Sequence, residues 1–204
     1  PVSLLIKPVS GSCNMRCKYC FYIDETENRS TSSFGKMALS TMHTLIDRAL
    51  SFADGDCTFA FQGGEPLIAG LDYFRSFVKL VKKHNVLSSQ IYFSLQTNGT
   101  LVTEEWAEFF KENGFLIGLS LDGDFENNRF RVDDKGQNTF YKILGTAQLF
   151  QNKGVEFNIL TVLTGNCADH IDEIYKFFRS KGFKYLQFIP CLRPFGDKSE
   201  SELY

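Results

Sequence analysis

The sequence of 204 residues lacks the features that mark several classes of protein. Basic side chains are not in excess, since 22 Lys and Arg stand against 24 Asp and Glu, so the composition shows no nucleic-acid footprint. No apolar run approaches the roughly 20 residues that span a bilayer. The first residues have neither a basic region nor an apolar stretch long enough for a signal peptide. We therefore expect no nucleic-acid partner and no membrane partner.

Linkers are missing as well, because no stretch rich in proline and serine and no block of like charge divides the chain. Aromatic side chains, in contrast, are abundant, and 21 Phe with 8 Tyr are too many for a chain that stays unfolded. A length of 204 residues suits one large domain with a sizeable core. We expect residues 1–204 to form one folded domain.

Two kinds of apolar pattern, one typical of strands and one of helices, alternate along the chain. The predicted strands are Val2–Val9, Cys57–Phe61, Gln90–Leu95, Phe115–Leu121, Val155–Leu163 and Lys184–Ile189. The predicted helices are Met37–Ala53, Leu71–Val86, Thr103–Asn113, Thr139–Lys153 and Asp169–Lys181. Strands separated by helical segments indicate an α/β fold with right-handed βαβ units and a parallel sheet. The sheet is either an open doubly wound sheet or part of a βα barrel.

Unusual polar and glycine-rich clusters follow the ends of the predicted strands. Examples are Gly63–Pro66 after the second strand and Gln96–Gly99 after the third. A single polar loop is ordinary in such folds, but here several distinctive loops meet at one edge of the sheet. In parallel α/β folds the carboxyl edge is where ligands bind. The sequence therefore predicts a functional site at this edge.

Three of the six cysteines lie within eight residues, at Cys13, Cys17 and Cys20. The chain is not the small, cysteine-dense type that disulfides hold together, so we expect reduced thiols in a reducing compartment. Thiolates suit zinc, Cu(I) and iron–sulfur clusters. A structural zinc site needs four ligands, and the remaining cysteines lie far away in sequence, at Cys57, Cys167 and Cys191. Three cysteines on one loop can instead hold three irons of a cubane cluster and leave the fourth iron open.

The spacing of the cysteine triplet, directly after a first strand, resembles that of the radical S-adenosylmethionine (AdoMet) superfamily, called radical SAM. The segment Gly63–Pro66 is similar to the glycine–glycine–glutamate motif of the same superfamily, where glycines let the backbone approach a ligand closely. The resemblance implies a partial (βα)6 barrel with parallel strands, a 4Fe–4S cluster on the three cysteines and AdoMet at the open iron. It also implies reductive cleavage of AdoMet and abstraction of a hydrogen atom from the substrate.

Longer stretches resemble one family within that superfamily, the anaerobic sulfatase-maturating enzymes. These stretches are 4–8, 20–22, 59–66, 94–100, 118–123, 156–160 and 186–189, and the resemblance covers nearly the whole chain. It implies an oxidoreductase that converts an active-site Cys or Ser of a sulfatase to Cα-formylglycine without oxygen. The implied partners are an unfolded or nascent sulfatase peptide and a flavodoxin- or ferredoxin-type electron donor. Because iron–sulfur clusters are sensitive to oxygen, we expect a reducing cytoplasm as the location.

The same resemblance implies roles for individual residues. The implied cluster ligands are Cys13, Cys17 and Cys20. The implied contacts of AdoMet are Tyr19, Gly63, Gly64, Glu65, Ser120, Arg131 and Leu192. The implied contacts of the peptide substrate are Tyr22, Gln62 and Gln96.

The sequence departs from the family pattern in two places. The segment between Asp122-Gly123 and Arg131 is shorter than in the family and lacks its histidine. The cysteine-rich C-terminal domain of the family, which carries auxiliary 4Fe–4S clusters and a catalytic aspartate, is absent from residues 1–204. We therefore expect a radical SAM domain that is incomplete at its C-terminus, with the general base in the missing half.

Two other interpretations remain open. Another radical SAM enzyme that matures peptides, by forming thioether bonds or crosslinks, shares every motif named above. A non-catalytic zinc or iron–sulfur module is the second alternative, and it requires Gly63–Glu65 and Ser120 to be incidental.

Overall fold

Six parallel strands form one sheet in a computed structural model that describes residues 1–23, 28–31, 33–193, 201 and 203–204. The strands are β1 (Val2–Ile6), β2 (Asp56–Phe61), β3 (Gln90–Thr97), β4 (Phe115–Ser120), β5 (Phe157–Leu163) and β6 (Leu186–Pro190). They lie in the sheet in chain order, so each strand pairs with its neighbours in sequence. A doubly wound sheet reverses its strand order near the middle, and this sheet does not. The prediction of a partial (βα)6 barrel is confirmed.

Helices fill the connections between the strands. They are α1 (Leu39–Phe52), α2 (Leu71–His84), α3 (Glu104–Glu112), α4 (Phe140–Lys153), α5 (Gly165–Asp169) and α6 (Ile171–Ser180). Local chemistry sets two of their ends: the Thr103 hydroxyl accepts a hydrogen bond from the Trp106 amide at the start of α3, and Gly154 ends α4 at a φ of +67°. None of the helices in the described part of the chain has the length and apolar character needed to cross a membrane.

The core lies between the sheet and the helices and is dominated by phenylalanine. Phe59, Phe93 and Phe115 lie directly opposite one another on β2, β3 and β4. Their rings stack, with centroids 6.1 Å apart for Phe59 and Phe93 and 4.9 Å apart for Phe93 and Phe115. Aromatic pairs in offset or stacked geometry add stabilisation beyond the area that they bury. The stacked phenylalanine rings therefore help to fix the register of β2, β3 and β4.

The opposite face of the sheet is the concave inner face of the partial barrel. It carries the alternate residues of each strand, and some of its apolar side chains are open to solvent, with Leu5 61% exposed. Gln96 on β3 lies opposite Gly118 on β4, and Ser120 lies two residues further along the same strand. The alternation of strands places Gln62, just after β2, on this face as well. The predicted substrate-facing residues Gln62 and Gln96 thus share the inner face with Ser120.

Most predicted ends lie within two residues of the observed ones, and two larger differences have a clear physical reason. The predicted first strand extends to Val9, but β1 ends at Ile6, because Pro8 has no N–H to donate and residues 7–10 form a turn. The predicted helix Asp169–Lys181 is instead α5 and α6 on either side of His170. The helix α5 begins early because the Thr164 hydroxyl accepts a hydrogen bond from the Cys167 amide.

Candidate functional site

The loop that carries the cysteine triplet follows β1 and lies at the carboxyl edge of the sheet. Its middle is held by the segment after β4: the Arg16 amide donates to the Val132 carbonyl over 2.8 Å, and the Lys18 amide donates to the Phe130 carbonyl over 3.0 Å. Met15 forms an isolated antiparallel bridge with Asp133. The loop is therefore a defined structure built on a distant part of the chain.

A cavity of about 320 Å³ opens beside this loop. Its lining contains two of the three cysteines of the triplet and one glycine of the glycine–glycine–glutamate turn. The lining residues are Gly11, Ser12, Cys13, Met15, Arg16, Cys20, Tyr22, Ile23, Ser33 and Gly64. The structure thus brings the cysteine loop and the loop after β2 to one concave place, where the sequence predicts a site.

The three thiols of the triplet are close to one another and partly buried. Burial raises the pKa of the Cys13 thiol, and it raises the pKa of Cys17 to about 11. The charge of Cys20 raises both values further, as expected for neighbouring thiolates. Thiols with raised pKa values need a cationic partner to be held as thiolates, and a metal centre supplies that charge.

The donor set fits a cluster better than a single ion. In the described part of the chain, no group of three or more His, Cys, Asp or Glu side chains is arranged to hold one metal ion. A zinc ion would need four ligands gathered around it; of the three remaining cysteines, Cys57 and Cys167 are fully buried in β2 and α5, and Cys191 follows β6. In a cubane cluster each cysteine binds a different iron, so three neighbouring but separate thiols are the arrangement required.

The turn after β2 packs directly on the backbone of the cysteine loop. Gly63 and Gly64 have φ values of +94° and +53°, and the Glu65 amide donates to the Ser12 carbonyl over 2.8 Å. A Cβ atom on Gly64 would lie 2.1 Å from the Ser12 carbonyl oxygen. The close approach that these glycines permit in this structure is between two loops of the protein, in addition to any approach to a ligand.

The carboxylate of Glu65 lies inside the protein, with a side-chain exposure of 0%. It accepts hydrogen bonds from the Leu67 amide over 3.0 Å, the Thr97 hydroxyl over 2.9 Å and the Asn98 amide over 2.7 Å. Burial raises the pKa of Glu65 to about 7, against the effect of these donors. In this structure the Glu65 side chain joins the loop after β2 to the end of β3.

Asn98 connects β3 to the cysteine loop. Its side-chain amide donates to the Cys13 sulfur over 3.8 Å and to the Asn14 side-chain oxygen over 3.0 Å. The Asn98 oxygen accepts from the Thr100 hydroxyl over 2.7 Å, which fixes the orientation of the amide. Hydrogen bonds to cysteine sulfurs are one means by which proteins set the potential of iron–sulfur clusters.

Tyr19 and Arg131, two predicted AdoMet contacts, are in direct contact. Arg131 Nη1 donates to the Tyr19 hydroxyl over 2.7 Å, and the Tyr19 hydroxyl in turn donates to Asp122. The Arg131 guanidinium lies 5.8 Å from the centre of the Tyr19 ring. Arg131 and Asp122 side chains are 7% and 2% exposed, so this is a buried network of opposite charges at the carboxyl edge.

The other predicted site residues lie at the same edge with fewer contacts. The Gln62 side-chain amide donates to the Tyr22 hydroxyl over 3.3 Å, so two predicted substrate contacts are paired. Gln96 is exposed on the inner face, and Ser120 is half-buried at the end of β4. Leu192 follows β6 with its side chain 77% exposed. The structure does not join these last three residues to the network around Tyr19.

Two residues of the site were missed by reasoning from sequence. Asp122 and Asn98 were included in the polar clusters at the strand ends, but no role was predicted for either. Their contacts join residues that are 103 and 85 positions apart in sequence, to Tyr19 and Cys13 respectively. The available signal was their place at the carboxyl ends of β4 and β3, beside the cysteine loop.

The family model of the radical SAM superfamily matches residues 8–178, which is most of the chain. The chain belongs to the radical SAM superfamily. The matched part begins just before the cysteine loop and ends within α6, so it includes the cysteine triplet, the turn after β2 and the network around Arg131. The superfamily that the sequence resembles is confirmed.

Several relatives of this radical SAM chain are described as anaerobic sulfatase-maturating enzymes. A cysteine-type anaerobic sulfatase-maturating enzyme of Clostridium novyi (strain NT) is 49% identical over 204 residues, which cover 100% of this chain and 54% of that enzyme. The solved structure of native anSMEcpe with bound AdoMet has a TM-score of 0.95 at 49% identity, covering 100% of this chain and 56% of that one. The same protein with AdoMet and the Cp18Cys peptide has a TM-score of 0.93 at 48% identity, covering 100% and 55%. The chain thus spans about half the length of the relatives that it matches.

Proposed function

We propose that residues 1–204 are the radical SAM domain of an anaerobic enzyme that oxidises a cysteine in a sulfatase active site to Cα-formylglycine. The observation that carries this proposal is the identity of about half of all positions, over the whole chain, to a cysteine-type sulfatase-maturating enzyme. Because the relatives are about twice as long, the auxiliary clusters and the general base belong, in this proposal, to a part of the enzyme outside residues 1–204.

The cluster of this proposal is held by Cys13, Cys17 and Cys20. A reduced 4Fe–4S cluster with bound AdoMet supplies one-electron cleavage of the sulfonium and abstraction of a hydrogen atom from the substrate. Cys13 and Cys20 line one cavity, Cys17 lies between them in the same loop, and Asn98 donates a hydrogen bond to the Cys13 sulfur. All three thiols are partly buried.

Of the proposed AdoMet contacts, Gly64 lines this cavity, and the others lie along the same edge of the sheet. The proposed contacts are Tyr19, Gly63, Gly64, Glu65, Ser120, Arg131 and Leu192. Arg131 is the best supported of them, because a guanidinium has five N–H donors and this one makes a single hydrogen bond in the described residues, to Tyr19. Glu65 contributes by fixing the turn that carries Gly63 and Gly64, since its own side-chain oxygens accept from protein donors.

The proposed substrate is an extended segment of an unfolded or nascent sulfatase, bound at the inner face of the partial barrel. The contacts proposed for it are Tyr22, Gln62 and Gln96, of which Gln62 and Tyr22 are already paired. A cysteine target is supported by the relative of Clostridium novyi, which is a cysteine-type enzyme, and by the Cp18Cys peptide bound in a similar structure. The proposed electron donor is a flavodoxin- or ferredoxin-type protein of a reducing cytoplasm.

Anaerobic reconstitution tests the proposal with the complete protein that contains this chain. The wild type, C17A and the control C57A are loaded with iron and sulfide, reduced, and given AdoMet and a peptide with a sulfatase cysteine motif. Cys57 is buried in β2, away from the cysteine loop. C57A therefore removes a thiol, as C17A does, but not a proposed cluster ligand. We expect wild type and C57A to form 5′-deoxyadenosine and an aldehyde-containing peptide, and C17A to form neither.

Other outcomes would change the proposal in distinct ways. Formation of 5′-deoxyadenosine with every sulfatase peptide left unmodified would contradict the substrate but keep the radical chemistry. A crosslink or thioether in the peptide would replace formylglycine formation with another peptide maturation. If wild type and C17A bind the same amount of iron, the cluster is not held by this loop.

A further inference from the structure

Asp122 is the second residue after β4 and is almost completely buried. Its Oδ1 accepts a hydrogen bond from the Val162 amide over 2.9 Å, which ties it to β5. Its own amide donates to the Asn128 side-chain oxygen over 3.2 Å, and its Oδ2 accepts from the Tyr19 hydroxyl. The carboxylate is therefore fixed by the sheet on one side and contacts the cysteine loop on the other.

Arg131 is the cation that faces this carboxylate. The Nε atom lies 4.0 Å from Asp122 Oδ2, which makes a buried pair of opposite charges. A buried guanidinium without a counter-charge is strongly unfavourable, so Asp122 is what allows Arg131 to stay charged inside the protein. Nε itself is buried without a hydrogen-bond partner in the described residues, although buried donors are almost always paired. Within the described part of the chain, the guanidinium is thus held by charge and by Tyr19, and most of its donors make no hydrogen bond.

Tyr19 joins this pair to the cysteine triplet, because it lies between Cys17 and Cys20 in the loop. Its hydroxyl accepts from Arg131 and donates to Asp122, so one hydroxyl is in contact with both charges. A shift of the Asp122 carboxylate would therefore move two groups together, the Tyr19 ring and the Arg131 guanidinium. Both are proposed AdoMet contacts, whereas Asp122 itself makes only contacts within the protein.

We propose that Asp122 is a positioning residue for AdoMet: its carboxylate holds the Arg131 guanidinium and the Tyr19 ring in the orientation that presents the unused guanidinium donors to the cofactor. This inference rests on the proposed function, since it requires AdoMet to bind beside the cysteine loop. It assigns to Asp122 an effect on cofactor affinity that is exerted through Arg131. The iron–sulfur cluster is affected only through the position of Tyr19.

A double-mutant cycle on the complete, cluster-loaded protein tests this role. The variants are D122N, R131Q and the double variant D122N/R131Q. D122N keeps an oxygen for the Val162 amide and replaces the charged oxygen near Arg131 by a neutral amide. AdoMet is titrated into the reduced protein, and its Kd is read from the change in the electron paramagnetic resonance spectrum of the cluster. Iron content and the spectrum without AdoMet report whether the cysteine loop is intact.

We expect D122N to raise the Kd for AdoMet at least tenfold, with iron content and the AdoMet-free spectrum unchanged. In the R131Q background the same substitution is expected to change the Kd less than twofold, because residues that act through one another are not additive. A D122N variant that binds AdoMet within twofold of wild type overturns the inference. Equal factors in the two backgrounds also overturn it, because Asp122 would then act independently of Arg131.

A conservative variant covers the case in which D122N fails to load iron. D122E keeps the negative charge, and we expect it to load iron and to bind AdoMet with a Kd between those of wild type and R131Q. A D122E variant that also loses iron, or that binds as weakly as R131Q, shows a purely structural role and overturns the inference. The wild-type spectrum separates this inference from the proposed function. If that spectrum does not respond to AdoMet, the proposed function and the inference both fail. If it responds and D122N binds AdoMet as tightly as wild type, only the inference fails.

Discussion

The amide of Glu65 donates a hydrogen bond over 2.8 Å to the carbonyl of Ser12, the residue before the first cysteine of the triplet. This bond joins the loop after β2 to the loop after β1, and the two backbones come this close because Gly64 has no side chain. The cysteine loop is therefore shaped by the residues of the glycine–glycine–glutamate turn, and changes in that turn are expected to reach the cluster ligands.

Gly64→Ala is expected to disrupt this junction. The new Cβ would lie 2.1 Å from a backbone oxygen that cannot rotate away, in a residue with a φ of +53°. We expect a loss of about 2–5 kcal/mol in the free energy of unfolding, measured by urea denaturation, together with loss of iron binding. The matched control is Gly114→Ala, with a similar φ of +63° and no atom within 4 Å of the new Cβ, for which only about 1–2 kcal/mol is expected. Equal losses for the two variants would show that backbone strain alone, without contact to Ser12, explains the effect.

Glu65 is expected to make stability depend on pH. Burial raises its pKa from the usual 4.5 to about 7, so between these values the folded protein holds a proton that the unfolded chain releases. The contribution to stability is complete below about pH 4.5 and is lost as the pH rises through about 7, with a total of about 3 kcal/mol. Urea denaturation of the iron-free protein at several pH values, compared with Glu65→Gln, measures this term. A pH dependence that is identical in wild type and Glu65→Gln would exclude Glu65 as its source.

Asn98→Ala is expected to lower the reduction potential of a cluster on Cys13. The side-chain amide donates to the Cys13 sulfur, and such a donor stabilises the more negative, reduced state. One hydrogen bond of about 0.5–1.5 kcal/mol corresponds to a shift of roughly 20–60 mV for a one-electron couple, measured by potentiometric titration. Asn14→Ala serves as control, because Asn14 bonds the same Asn98 and Thr100 through its side chain. The same shift in both variants would point to a change in the loop instead of the loss of a sulfur contact.

Phe115→Ala is expected to destabilise the fold through the core alone. The Phe115 ring is fully buried and contacts four other phenylalanine rings, with the Phe93 ring stacked at 4.9 Å. We expect a loss of about 3–5 kcal/mol in the free energy of unfolding. Phe52→Ala, at a position 82% exposed, is expected to change stability by at most about 0.5 kcal/mol. A small effect at Phe115 would mean that the ladder of rings on β2, β3 and β4 does not hold the sheet together.

The architecture could be predicted from the sequence because its signals are local. Strand and helix patterns alternate, the βαβ unit has one favoured hand, and parallel strands then meet at a common carboxyl edge. That reasoning gave a parallel α/β sheet and the edge at which the cysteine loop lies, while the choice of a partial barrel over an open doubly wound sheet came from the resemblance to the radical SAM superfamily. Boundaries were less certain where two signals compete, as at Pro8, which ends β1 early, and at His170, which separates α5 from α6.

The partners within the site could not be predicted in the same way. Whether Asn98 touches Cys13 depends on how two loops 85 residues apart pack, and nothing in either loop alone determines that. The same holds for Asp122, whose contacts with Tyr19 and Arg131 join the cysteine loop to the segment after β4. Residue types at a strand end indicate a site, but the pairing of their charges follows from the packing of the whole sheet.

The order of the strands also determines the order in which the site is completed during synthesis. The cysteine loop leaves the ribosome first, whereas the segment that holds it, ending at Asp133, follows about 120 residues later. At 5–20 residues per second this interval lasts roughly 6–24 s. For that time the three thiols are on a nascent chain without the sheet edge that buries them, open to oxidants and to free metal ions. The cysteine loop therefore reaches its final, partly buried form late in synthesis, after the segment that holds it has been made.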